Sequence, residues 1–140
     1  NIVALDVMRA IRREQALEAL HADLDARLAR SGPLHARLRA ALERSVALAG
    51  DAATQKNDAL ARQAASALYR VTAAVVMAEE AGCLAHDARR ALLASLVLEH
   101  QLESRDPLAQ ADTAQEAEIA KVLLDEQPLA PEVVHRLIQR

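Results

Sequence analysis

Two Glu-x-x-His motifs are the first residues of this 140-residue chain whose types and spacing suit chemistry: Glu18 with His21, and Glu132 with His135. In ferritin-like bundles two such motifs, together with two further glutamates, bind a pair of metal ions between four helices. A separation of three residues places both side chains of each motif on one face of a helix. The neighbouring apolar residues point to a different face as the buried one. We therefore interpret both motifs as solvent-exposed pairs and predict no metal site.

Glu99, His100 and Glu103 form a second group of chemically capable side chains, within about one turn of a helix. Like charges four residues apart repel each other on a helix unless a positive charge lies between them. A metal ion would satisfy that condition, and so would an arginine from a neighbouring helix. We predict the arginine.

Nucleophilic catalysis has little support in the sequence. Cys83 is the only cysteine, so the chain has no internal disulfide, which fits a reducing cytoplasm. We predict that this thiol is buried or half-buried and serves as a small apolar side chain. No Ser/His/Asp nucleophile motif is present, and three glycines are too few for a glycine-rich phosphate loop. We predict no catalytic residue within the chain.

The charge of the chain is nearly balanced, with a formal net charge of −3. Residues 1–50 hold 8 Lys/Arg and 6 Asp/Glu, which gives this half a formal charge of +2. Residues 51–140 hold 9 Lys/Arg and 14 Asp/Glu, which gives the second part a formal charge of −5. The first half could contact phosphates or an acidic patch of another subunit. The near balance favours ordinary solvated helix faces instead. The arginines concerned are Arg9, Arg12, Arg13, Arg27, Arg30, Arg37, Arg39 and Arg44.

Composition predicts that helices alone position these residues. Alanine makes up about a quarter of the chain, and Ala and Leu are the strongest apolar helix formers. Tyr69 is the only aromatic residue, and the residues that strands favour are scarce. The uncharged runs 71–78 and 91–98 fall far short of the roughly 20 residues that a membrane span needs. We predict one all-α domain, an antiparallel bundle of six or seven helices.

Glycine, proline and capping residues divide the apolar stripes into these helices. The stripe from Leu60 to Ala78 is the longest, which predicts a central helix whose last turn, at Glu79 and Glu80, is solvated. Each glycine stands where a helix could stop in a left-handed cap, and each of three prolines marks a further break. The breaks are Gly32, Gly50, Gly82, Pro107, Pro128 and Pro131. The expected N-terminal caps are Asn57 or Asp58, Asp87, and Thr113 in a capping box with Glu116.

The first ten residues, Asn-Ile-Val-Ala-Leu-Asp-Val-Met-Arg-Ala, resemble a segment of FAD-dependent acyl-CoA dehydrogenases. In the bacterial alkylation-response branch of that family, a Trp-Glu-Gly stretch is followed by Asn, a few apolar residues and Leu-Asp-Val-x-Arg-Ala. Three later segments are similar to bacterial members: Tyr69-Arg-Val-Thr-Ala-Ala, Asp87-Ala-Arg-Arg-Ala-Leu-Leu-Ala and Arg105-Asp-Pro-Leu108. The chain begins with Asn1 inside a helical pattern, which suggests a fragment or a processed product.

The resemblance implies a parent flavoprotein that binds FAD and oxidises an acyl-CoA thioester at its α and β carbons. It implies that residues 1–13 form the closing helix of the dehydrogenase bundle and that residues 14–140 form a C-terminal helical extension. Asn1 matches a position beside the cofactor and is the one cofactor-binding candidate, although it would also suit a helix N-cap. In many members of the family the catalytic base is the Glu of the Glu-Gly stretch, which would precede Asn1.

We therefore expect the C-terminal helical region of a cytoplasmic acyl-CoA dehydrogenase-like flavoenzyme. Its expected partners are the rest of the parent protein, the acyl-CoA substrate and further copies in a homo-oligomer. One alternative is a helical module that contacts DNA through residues 27–44, because the alkylation-response branch uses its C-terminal extension in this way. A second alternative is a ferritin-like bundle with two metal ions.

Overall fold

The computed structural model describes residues 2–55, 58–84, 86–104 and 112–139 together with residues 106, 108 and 110, and only the backbone of residue 58. Within these residues the chain is entirely helical, which confirms the all-α prediction and the predicted number of helices. The seven α-helices are α1 (Ile2–Glu14), α2 (Ala16–Leu28), α3 (His35–Thr54), α4 (Asp58–Cys83), α5 (Arg89–Val97), α6 (Thr113–Leu124) and α7 (Pro131–Ile138). A 3₁₀ turn, Gly32–Leu34, precedes α3, and a π turn, Leu98–Leu102, continues α5.

Helix α4 is the centre of the bundle, as its long apolar stripe predicts. It packs against α1, α2, α3 and α5. Residues such as Val71, Ala74 and Val75 are fully buried between α2 and α3. The amino-terminal half of α4 and the end of α3 form a second buried cluster with α1, and α5 and α7 form a third. None of the helices in the described ranges is long and apolar enough to cross a membrane.

The three glycines differ from the predicted pattern of left-handed helix ends. Gly32 has a φ of 57° and begins the 3₁₀ turn, so the prediction is right there. It is wrong for Gly50, which lies inside α3 because the following Ala52 and Ala53 are buried against α1 and α4. Gly82 lies within the last turn of α4, where a β-carbon would overlap the backbone carbonyl oxygen of Arg30. A close approach of two chain segments, rather than a positive φ, explains this third glycine.

The caps of the later helices were predicted with mixed success. The N-cap of α5 is Ala88, one residue after the predicted Asp87, although Asp87 Oδ1 does accept the backbone N–H of Arg89, the first residue of the helix, at 3.1 Å. The same oxygen accepts the N–H of Leu129 at 3.1 Å, which ties the segment before α7 to the start of α5. For α6 the prediction of Thr113 is wrong, since Asp112 accepts the N–H of Gln115 at 3.0 Å.

The remaining predicted boundaries fall in or beside residues without a described structure. Asn57, a proposed cap of α4, and Pro107, a proposed break, lie outside the described residues, and α4 begins at Asp58. Pro131 is the first residue of α7, as predicted. The α1–α2 junction is the single residue Gln15, which adopts a left-handed conformation with a φ of 52°.

Candidate functional site

Asn1, the cofactor-binding candidate, lies outside the described residues. The helix that follows it, α1, has apolar residues on two sides. Met8 is only 1% exposed and packs on the bundle beside α3 and α4. Ile2 and Val3 are 79% and 71% exposed, so a second apolar surface points away from the bundle. Leu5 is also exposed at the margin of this surface. We call Ile2, Val3 and Leu5 the outer face of α1.

Several arginines of the basic first half are held by carboxylates. Arg27 donates from Nε to Asp23 at 2.8 Å and from Nη1 to Glu79 at 2.7 Å. Arg39 lies 2.7 Å from Asp25. These contacts neutralise much of the positive charge that the sequence places in residues 27–44. A surface arranged in this way offers few free cations to a polyanion.

Glu79 is the buried member of an ion-pair cluster, which corrects the prediction that it lies at a solvated helix end. It is 7% exposed and accepts hydrogen bonds from both Arg30 and Arg27. Two hydrogen bonds, the more important from Arg30 and the other from Arg27, lower the pKa of the Glu79 carboxyl below its ordinary value. The reason for the burial is tertiary, because the end of α4 packs against the end of α2. Glu80 pairs with Arg90 at the surface.

An arginine from a neighbouring helix lies beside Glu99 and Glu103, as predicted. Arg37 on α3 donates from Nε to Glu103 Oε1 at 2.9 Å and from Nη2 to Oε2 at 2.8 Å. The same Nη2 lies 3.8 Å from Glu99 Oε1, and Nη1 donates to the hydroxyl of Ser95 at 3.4 Å. The hydrogen bond from Arg37 lowers the pKa of Glu103. The group is therefore an ion-pair network that fastens the π turn to α3.

The two Glu-x-x-His motifs lie on exposed surfaces of different helices. Glu18, Glu132 and His135 are exposed, and His21 is half-buried. Among the described residues no three His, Cys, Asp or Glu side chains come close enough together to hold a metal ion.

Cys83 differs from its predicted environment. Its side chain is exposed rather than buried, because it occupies the last position of α4 where that helix leaves the core.

A cleft of about 700 Å³ opens on the surface of the described part of the chain. It lies between the 3₁₀ turn, the carboxyl end of α4, the start of α5 and α7. Sequence reasoning missed it because its walls come from four separated segments. The available signal was the small residues that recur at helical spacing toward the end of α4 and in α5. The cleft is lined by Arg30, Ser31, Gly32, Pro33, Ala78, Ala81, Gly82, Leu84, Ala88, Ala91, Pro131, Glu132, Val134, His135, Arg136 and Gln139.

The outer face of α1 and this cleft are two surfaces of the described chain that suit recognition. The chain matches no family model, and no curated protein or solved structure matches it either.

Proposed function

We propose that this chain is the C-terminal helical region of an FAD-dependent acyl-CoA dehydrogenase-like protein. In this proposal α1 packs between the bundle described above and the remainder of the flavoprotein, and the other helices support a homo-oligomer. The observation that carries the proposal is the two-sided apolar character of α1. Met8 packs on the bundle while Ile2 and Val3 remain exposed. The same helix contains the Leu-Asp-Val-x-Arg-Ala segment on which the resemblance depends.

The proposed reaction belongs to the parent protein and not to this chain alone. FAD would accept the β-hydrogen of an acyl-CoA as hydride, while a carboxylate removes the α-proton. The described glycines do not form a glycine-rich loop for the diphosphate of a flavin nucleotide. Gly50 lies within a helix and Gly82 against Arg30, so neither contributes to a glycine-rich phosphate loop. The proposal therefore assigns flavin binding to the rest of the parent, with Asn1 contributing one edge.

Two features favour this role over the alternatives. The pairing of Arg27 and Arg39 with carboxylates weakens the argument for a DNA-contacting module. The exposure of Glu18 and Glu132 on separate helices weakens the argument for a two-metal bundle. A cytoplasmic location is part of the proposal, because the only cysteine of the chain, Cys83, is exposed and cannot form an internal disulfide.

The visible absorbance spectrum of the full-length parent, purified without added cofactor, tests this proposal. We expect the bands of oxidised flavin, and we expect an acyl-CoA to bleach them. If flavin bands are present but no acyl-CoA bleaches them, the assignment to the family would stand and the proposed dehydrogenase activity would be wrong. A protein without flavin would overturn the proposal as a whole.

A pair of α1 variants tests the role of the outer face within the parent. Val3→Glu places a charge on this face, and we expect it to reduce flavin content or to dissociate the oligomer. Arg13→Glu is the matched control, because Arg13 is an exposed, already charged position of the same helix. Equal flavin content and equal oligomeric state in both variants would contradict a packing role for the outer face.

A further inference from the structure

We propose that the cleft between α4, α5 and α7 binds a medium-chain carboxylate, a small amphiphile with an aliphatic tail and one anionic head group. We call it the α7 cleft. Nothing in this inference depends on flavin or on the parent's reaction, so it goes beyond the function proposed above.

The walls of the α7 cleft suit an aliphatic tail. Ala78 and Ala91 form part of its floor, and Val134 on α7 closes one side. These residues carry only methyl or isopropyl groups, and Ala81, which also lines the cleft, carries only a methyl group. Ligand sites in proteins are mostly apolar clefts of about 300–1,000 Å³ with a few convergent polar groups. The volume of about 700 Å³ falls within that range.

The rim of the cleft suits an anionic head group. Arg30 uses Nη2 to bind Glu79, and Arg136 uses Nη2 to bind Glu118. Each guanidinium group has five N–H donors, so most of its donors remain available within the described part of the chain. His135 lies beside Arg136 on α7. Guanidinium groups bind carboxylates through charge-assisted hydrogen bonds, which are among the strongest hydrogen bonds in proteins.

Only one carboxylate, Glu132, is found among the described residues that line the cleft. Glu79 and Glu118 each occupy one nitrogen of a rim arginine, so an incoming head group would bind through the remaining N–H donors of Arg30 and Arg136. A carboxylate accepts hydrogen bonds from these donors, whereas a quaternary ammonium group on the same tail cannot.

A small molecule fits this cleft better than a helix from a second copy of the chain. A helix with its side chains is about 10 Å wide, and two turns are about 11 Å long, which gives roughly 850 Å³. Such a helix would be only partly enclosed by a cleft of about 700 Å³. A single aliphatic tail would lie within the cleft along its apolar residues.

Titration of the ¹⁵N-labelled chain with sodium decanoate, below its micelle concentration, tests the proposal. We expect saturable amide shifts at Ala78, Ala91 and His135, with little change at the distant end of α4. Decyltrimethylammonium, which has the same tail and the opposite charge, should bind at least tenfold more weakly. Equal affinity for the two amphiphiles would overturn the assignment of an anionic ligand.

Two variants and one control locate the binding site. Arg136→Gln should weaken decanoate binding about three- to tenfold, because it removes a rim cation whose only described ion pair is exposed. Arg62→Gln is the control, since Arg62 is exposed on α4 about 24 Å along the helix from Ala78. Ala81→Leu fills the mouth of the cleft and should weaken binding at least tenfold, with the helical circular dichroism and melting temperature compared to ensure that the variant folds. Equal weakening by Arg62→Gln and Arg136→Gln would overturn the proposed site, as would unchanged binding in a folded Ala81→Leu variant.

Sedimentation velocity distinguishes the small ligand from a second copy of the chain. We expect decanoate to leave the oligomeric state unchanged. Shifts at the cleft that appear only because decanoate dissociates an oligomer would overturn the proposal and assign the cleft to a partner subunit. Equal binding to phosphatidylglycerol vesicles and to monomeric decanoate would also overturn it, since the site is proposed for a free carboxylate.

Discussion

Arg37 on α3 holds both carboxylate oxygens of Glu103, which follows the π turn, through parallel hydrogen bonds of 2.9 and 2.8 Å. Each of the two side chains is 31% exposed, so the pair is partly shielded from water. The fork of a guanidinium group matches a carboxylate in this geometry, whereas a lysine ammonium group does not. The contact joins two parts of the chain that lie 66 positions apart.

Arg37→Lys should lower the free energy of unfolding by about 1 kcal/mol, because the charge is kept and the second hydrogen bond is lost. Urea unfolding followed by circular dichroism measures the loss. A double-mutant cycle of Arg37→Met with Glu103→Gln should give a coupling energy of about 1 kcal/mol. Arg62→Lys, at an exposed position, is the control and should change little. A coupling energy near zero would show that the pair does not stabilise the fold.

Stability should fall in acid because three carboxylates have lowered pKa values in the folded chain. Hydrogen bonds from Arg30 and Arg27 lower the pKa of Glu79, and backbone N–H groups lower that of Asp87. Glu103 is lowered by Arg37. A lowered folded-state pKa stabilises the fold above the unfolded pKa, and this stabilisation is lost as the pH falls through the folded pKa. The loss should therefore begin near pH 4.5, the ordinary value for glutamate, and continue below it.

Glu79→Gln isolates one part of this acid dependence. The variant should be less stable than the native chain at pH 7, and the difference should shrink as the pH falls below 4.5. Urea unfolding between pH 7 and pH 3 measures both effects. Glu80→Gln is the control, because Glu80 pairs with Arg90 at a more exposed position. A constant difference between Glu79→Gln and the native chain across this range would contradict the assigned pKa shift.

Local sequence rules predicted the helices well because most of the helical signal is local. The apolar stripe that ends at Ala78 and the proline at 131 give the position of α4 and the start of α7. These rules wrongly predict a helix end at Gly50, since the burial of the residues that follow it keeps α3 continuous. Helix propensity is overridden where tertiary packing is strong.

The sites were less predictable than the helices because their partners are distant in sequence. The repulsion between Glu99 and Glu103 predicts from the sequence that a cation lies beside them. Only the fold shows that this cation is Arg37. Glu79 shows the opposite case, since no local rule brings Arg27 to it across 52 positions. The α7 cleft depends on four segments together and has no local signature.

Gly82 and Gly50 should respond oppositely to substitution by alanine. A β-carbon at Gly82 would overlap the backbone carbonyl oxygen of Arg30, so α4 and the end of α2 must separate. Gly82→Ala should lower the free energy of unfolding by about 1–3 kcal/mol.

At Gly50 the nearest atom to such a β-carbon is Leu17 Cδ2, at 3.9 Å, which is ordinary contact. Gly50→Ala should therefore raise the free energy of unfolding by about 0.5–1 kcal/mol, because alanine favours a helix interior. Thermal melting of both variants checks the signs, and two changes of the same sign would contradict this packing.

Asp112, rather than Thr113, should determine the stability of α6. The Asp112 carboxylate accepts the N–H of Gln115, so Asp112→Ala should cost about 1 kcal/mol of local helix stability. Thr113→Ala should have a smaller effect, since Thr113 is the first residue of the helix and not its cap. Helix α6 has no fully buried residue among those described, so it can open without global unfolding. Amide hydrogen exchange therefore measures the effect best, and equal exchange rates in the two variants would favour the capping box.

The two sides of α1 should contribute differently to the stability of the chain. Met8 is buried against α3 and α4, and Met8→Ala should lower the free energy of unfolding by about 2–4 kcal/mol. Val3 lies on the outer face, and Val3→Ser should change it by less than about 0.5 kcal/mol. Urea unfolding of the 140-residue chain measures both. If Val3→Ser costs as much as Met8→Ala, the outer face already has a partner within this chain and is not available to pack against the remainder of a flavoprotein. If the costs differ as expected, the outer face contributes little to this fold, and its exposed apolar side chains remain available for a contact made only in the parent.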